Sequence, residues 1–122
     1  MQLTVMNARA IALIAQQESR WPLAGDQLFV DMDLSATNVP AGTRLAIGSA
    51  TIEVTGEPHT GCQKFAMRFG KDATKFVNSP AGRALQIRGV NAKVVLAGRV
   101  RVGDLVRKVL PPPAATPVRR SA

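Results

Sequence analysis

Thr43-Arg44-Leu45-Ala46-Ile47 and Ala50-Thr51-Ile52-Glu53-Val54 alternate apolar and polar side chains, and only Gly48-Ser49 separates them. A strand sends successive side chains to opposite faces, so each segment has one apolar face and one polar face. A two-residue connection that begins with glycine fits a tight hairpin. Other short segments repeat the pattern. Gln27–Leu34 alternates in part, Ala92-Lys93-Val94-Val95-Leu96 is another such segment, and Arg99–Val106 sets Arg99 and Arg101 against Val100 and Val102, predicting one basic face and one core face. Turn signals at Pro40-Ala41-Gly42 and Ala97-Gly98 punctuate these strands.

Helical signals are few and short. From Asn7 to Gln17, apolar Ala10, Ile11, Leu13 and Ile14 recur at helical spacing, with Asn7 placed to cap the start and Trp21-Pro22 breaking the pattern. Cys62–Phe69 and Lys71–Phe76 read as two more short helices. Many short strands with a few short helices predict a mostly β fold, a small barrel or sandwich. A length of 122 residues suits one domain. We expect it to occupy residues 1–109, with a disordered Pro/Ala/Arg tail over 110–122. The apolar run Ala10–Ala15 is too short to cross a bilayer and makes a poor export signal, so we expect a cytoplasmic protein without a membrane partner.

The net charge of +8 draws in anions, whether a phosphate ester or other small-molecule anion, nucleic acid or membrane head groups. One cysteine excludes an internal disulfide, and one histidine with it is too few for a four-ligand zinc site. Those two residues stand three apart in Pro58-His59-Thr60-Gly61-Cys62-Gln63-Lys64-Phe65, followed by Arg68-Phe69-Gly70. Gly61 leaves the backbone beside the thiol unobstructed. A helix beginning at Cys62 turns free N–H groups and its positive dipole end toward the sulfur, and Lys64 and Arg68 add positive charge nearby. This chemistry favours a reactive or metal-binding thiolate.

With these residues laid out, the chain resembles the MOSC domain, the module named after the C-terminal domain of molybdenum cofactor sulfurase. The resemblance runs from about Leu3 to Lys108. It rests on Gly25-Asp26-Gln27, the Pro58–Gly70 stretch, Phe76-Val77-Asn78, Arg88-Gly89-Val90-Asn91-Ala92 and Val102-Gly103-Asp104 taken in order. It implies a pyruvate-kinase-like β-barrel with a cysteine at a strand end, which ligates molybdenum in bound molybdopterin or carries sulfur as a persulfide. Cys62 holds that position. The resemblance also implies further strands before Leu3, so we expect a barrel incomplete at its N-terminus, with an exposed edge strand open to homodimerisation.

The expectations for the site follow from the resemblance. Cys62 is the catalytic residue and metal ligand, and His59, Lys64, Arg68, Arg88 and Asn91 are the cofactor-binding residues. The cofactor is molybdenum–molybdopterin, with no pyridoxal phosphate in this chain. The activity is either reduction of N-hydroxylated compounds, with electrons from a partner protein, or sulfur transfer from a partner desulfurase. Two other classes stand against it. One is a basic β-barrel that binds nucleic acid, weakened by the small number of aromatics (four Phe, one Trp, no Tyr); the other is a cofactor-free structural remnant.

Overall fold

A computed structural model describes residues 2–57, 59–60 and 62–109. The expected tail over 110–122 and the expected role of Gly61 lie outside these residues. Six strands make one sheet: β1 (Gln2–Asn7), β2 (Leu28–Val30), β3 (Arg44–Ile47), β4 (Ala50–Val54), β5 (Val90–Leu96) and β6 (Val106–Val109). Their order is β2-β1-β5-β4-β3-β6. β1 and β2 run parallel; the other neighbours are antiparallel. The helices are α1 (Ala8–Ala15), α2 (Gln63–Phe69), α3 (Lys71–Asn78) and α4 (Pro80–Ala84), with a 3-10 helix over Glu18–Ala24.

The predicted hairpin is β3–β4, with Leu45 opposite Ile52 and Ile47 opposite Ala50. Gly48 takes φ 56°, and a Cβ there would stand 2.3 Å from the Arg99 carbonyl oxygen. That contact is part of a clasp. Ser49 N–H donates to Arg99 O at 3.1 Å, and Arg99 N–H donates to Ser49 Oγ at 2.7 Å. The clasp overturns one sequence expectation: residues 98–105 are not a strand, and the chain enters the sheet only at β6. Val100 and Val102 are exposed rather than core, Val102 completely so. The reason is local, because 98–99 is bound to the hairpin tip and Asp104 closes a turn by accepting from Arg101 N–H at 2.8 Å. The expected strand over Gln27–Leu34 is likewise only three residues long, since the Asp33 carboxylate accepts from Ser35 N–H and turns the chain away.

Two apolar clusters lie on the two faces of the sheet, and the alternation along β1 separates them. Val5 packs with Leu45, Ile52 and Val90 on the concave side, whereas Met6 packs with Ala10 and Ile11 of α1 on the helical side. Val5, Met6 and Ile11 are completely buried, and each such side chain contributes about 1.5–3 kcal/mol. Asn7 ends the strand and starts the helix, its Oδ1 accepting from Arg9 and Ala10 N–H. Trp21 and Phe29 pack ring against ring at 5.5 Å beneath α1.

The sheet curls into a half-barrel. Its edge strands β2 and β6 do not pair with each other, yet Leu28–Val30 and Val106 line one cavity of about 530 Å³. A second cavity of about 630 Å³ shares Leu28, Ile47 and Val100 with it and runs along Ile52 and Val94. Among the described residues no helix is long and apolar enough to cross a membrane.

Candidate functional site

Cys62 is the N-cap of α2, in extended backbone at φ −104° and ψ −177°. The thiol is free and exposed. Its sulfur makes no capping hydrogen bond, yet the N–H dipoles of the first turn act on it. The backbone N–H of Phe65 is the largest influence holding the thiol below its ordinary pKa; Lys64 N–H, the N–H of Cys62 itself and the charge of Arg88 pull the same way, and desolvation opposes them.

Arg88 acts on Cys62 through its charge. It precedes β5 and is buried, and its guanidinium lies 5.0 Å from the Phe65 ring centroid. Nη1 donates to Asp26 Oδ2 at 2.6 Å and Nη2 to Ala24 O at 2.8 Å, while Nε has no partner. Asp26 is the hub of this group. Its side chain is shut off from water, and its other oxygen accepts from His59 Nε2 at 3.0 Å. A carboxylate only accepts, so this bond places the proton of neutral His59 on Nε2. Gly89 permits the approach: its φ is +116°, and a Cβ there would meet Val5 O at 2.5 Å and the His59 ring at 3.3 Å.

The residues expected from the sequence separate into two groups. His59, Arg88 and Cys62 fall in one place, linked through Asp26 and Phe65. Lys64 is exposed in the first turn of α2 beside them. Arg68 turns away, donating to Leu23 O at 2.8 Å and so tying α2 to the 3-10 helix. Asn91 lies on β5 and donates to Glu57 O at 3.2 Å, bracing the loop that leads to His59. Asp26 was visible only as part of Gly25-Asp26-Gln27; nothing in that motif told that it would be the shared partner of His59 and Arg88.

A cavity of about 120 Å³ opens beside this group, lined by His59, Thr60, Arg83, Gln86, Arg88 and Gly89 among others. It presents cationic and donor groups with no carboxylate on its wall. Small-molecule pockets usually have about 300–1,000 Å³, so this one has room for an oxyanion-sized group and not for a ring system. Among the described residues no cluster of three or more His, Cys, Asp or Glu could hold a metal ion.

Among curated proteins none matches this chain. Two solved structures share its fold. The YiiM protein of Geobacillus stearothermophilus is 17% identical over 88% of this chain and 54% of its own, with a TM-score of 0.63. A second, described as a hypothetical protein, is 21% identical over 89% of this chain and 52% of its own, with a TM-score of 0.62. The chain thus spans about half the length of these structures. The MOSC domain family model matches residues 3–107, which include every strand but the ends of the first and last and all of the Cys62 site, and the chain belongs to the MOSC domain family.

Proposed function

We propose that this MOSC domain binds a molybdenum–molybdopterin cofactor with Cys62 as the protein's ligand to the metal. The observation that carries the reading is an exposed thiol held toward its thiolate form by the α2 N–H groups and by Arg88. The thiolate is the form that ligates a metal, and with sulfur supplied by the pterin a single protein thiolate suffices. The residues present fit such a group. Arg88 is a buried cation with an orphaned Nε–H, and the cavity it lines with His59 and Arg83 accepts a terminal phosphate but not the pterin rings. Cys62 and Lys64, both exposed, would be left to hold the rest of the group.

Bound molybdenum supplies two-electron redox chemistry, of the kind that reduces N-hydroxylated compounds. The chain's own residues do the rest. Cys62 anchors, Arg88 and Arg83 offset negative charge, Asp26 fixes Arg88 and His59 in place, and Phe65 shields Arg88 from water on the side it covers. A second reading has Cys62 carry sulfur as a persulfide received from a desulfurase, and the exposure of the thiol to a partner protein favours it.

The test is expression in cells that make molybdopterin, followed by elemental analysis of wild type and Cys62→Ser. Molybdenum in the wild type and its loss from the variant are expected. Equal metal in both removes Cys62 as ligand. Absence from both removes the cofactor reading, and mass spectrometry of Cys62 for one added sulfur then decides the persulfide.

A further inference from the structure

The charges on this chain are unevenly placed. Between Gln63 and Leu85 stand Lys64, Arg68, Lys71, Lys75 and Arg83, and of the eight acidic residues only Asp72 falls there. Lys64, Lys71, Lys75 and Arg83 are all exposed, and among the described residues none of the four is in an ion pair. Elsewhere the cations are paired more often: Arg9 with Asp31, Arg44 and Lys93 with Glu53, Arg88 with Asp26.

The three helices that carry these cations pack in series, α2 on α3 and α3 on α4, and α2 begins at Cys62. Helical spacing groups the exposed side chains. Lys64, Met67 and Arg68 share one face of α2, and Lys71 and Lys75 share one face of α3. The same segment exposes apolar groups: Met67 on α2 is 81% exposed, Phe76 on α3 50%, and Leu85 just after α4 52%. Exposed apolar side chains carried on the same packed helices as unpaired cations are the composition of a protein docking surface, with the apolar groups as contact and the charges for steering.

We propose that the exposed face of α2–α4 docks a small acidic protein and so orients it over the Cys62 site. The inference rests on the reading of Cys62 as a reactive thiolate for its purpose, though not for the binding itself. Charge complementarity selects the occupant, since a positive field over this face attracts a negative partner and repels a second copy of a chain carrying +8. An acidic protein fits better than nucleic acid. Among the described residues Phe76 is the only exposed aromatic side chain, and it sits among cations spaced along separate helices, leaving one ring for base stacking.

The experiment records amide chemical shifts of the labelled full-length chain while an acidic flavodoxin or an acidic ferredoxin is added at low salt. Parallel titrations use an oligonucleotide and phosphatidylserine vesicles. Shifts concentrated in residues 62–85, fading as salt is raised, are expected. Lys71→Glu with Lys75→Glu should weaken binding about tenfold or more, while Arg99→Glu with Arg107→Glu, the same change of charge elsewhere, should alter it less than about twofold. Equal loss from both pairs, shifts spread over the sheet, tighter binding to oligonucleotide or vesicle, or no shift with either protein would each overturn the proposal. Cys62→Ser should dock as wild type does. Docking without molybdenum would leave this surface standing and remove the cofactor, and molybdenum without docking would do the reverse.

Discussion

Arg88 Nη1 lies 2.6 Å from Asp26 Oδ2, and both charges are buried: the Asp26 side chain is 0% exposed and that of Arg88 6%. A pair so buried stabilises the fold less by its own attraction than by what its loss leaves behind. Asp26→Ala or Arg88→Ala should each destabilise by about 3–5 kcal/mol, because each strands an opposite charge in the interior. The double variant Asp26→Ala with Arg88→Ala should cost less than the sum of its single substitutions. Urea unfolding of the four proteins reads this directly, and additive losses would deny that the two residues act as a pair.

The same pair bears on the thiol. Cys62 is held below its ordinary pKa of about 9.0, first by Phe65 N–H and with a contribution from Arg88. A depressed thiol favours the folded state once ionised. Its contribution is therefore full above the unfolded thiol's pKa and disappears as pH falls through the folded one. The rate of alkylation by iodoacetamide against pH should have its midpoint below 9.0 in the native protein. Arg88→Gln should move that midpoint up and Arg88→Lys should move it less, since the Phe65 N–H remains in both. A wild-type midpoint at or above that of unfolded protein contradicts the arrangement.

Gly89 couples the site to the sheet. At φ +116°, with Val5 O 2.5 Å from where a Cβ would be, Gly89→Ala meets both a backbone clash and an unfavourable conformation. The expected cost is about 1–3 kcal/mol or more by thermal or urea unfolding. Gly25→Ala is the control. Its φ is +82° but nothing lies within 4 Å, so only the conformational cost of about 1–2 kcal/mol applies. A smaller loss at Gly89 than at Gly25 would show that the close approach to Val5 and His59 is not required.

Glu53 governs the acid side of a surface network on the sheet. Arg44 Nε at 3.1 Å, first, and Lys93 Nζ at 3.3 Å hold its carboxyl below the ordinary 4.5. Its stabilisation is therefore present above 4.5 and fades as pH falls through the lower, folded value. Solvent screens a pair this exposed, so Glu53→Gln should flatten the acid limb of the stability profile while changing stability near neutral pH only slightly. Urea midpoints measured across the acid range check this, and an unchanged acid limb would remove Glu53 as a contributor.

The hairpin β3–β4, the helix capped by Asn7 and the helix starting at Cys62 were all legible in the sequence, because each depends on neighbours within a few residues. Of the strand expected over Arg99–Val106 only Val106 is in one, at the start of β6, although the alternation was as regular as that of β3. Alternation states a preference for two faces; it does not state which backbone will be pulled aside. Here Ser49, fifty positions away, takes the backbone of Arg99. Among the proposed site residues the same distinction holds. Cys62 and Lys64 could be placed from local chemistry, whereas Arg68 looked equally suited and instead holds Leu23.

The sequence by itself determined the short strands, the capped helices, the net positive charge and a lone thiol at a helix start, for these follow from local periodicity, capping and count. Only the tertiary structure decided what surrounds that thiol. Asp26, His59 and Arg88 come from three separated stretches, and Asp26 and Arg88 meet because Leu28 of β2 and Val90 of β5 both pair with Val5 of β1, which brings the segments leading into those two strands to either side of one residue. Long-range strand pairing is set by burial of both faces of the sheet, a property of the whole chain that no single window of residues contains.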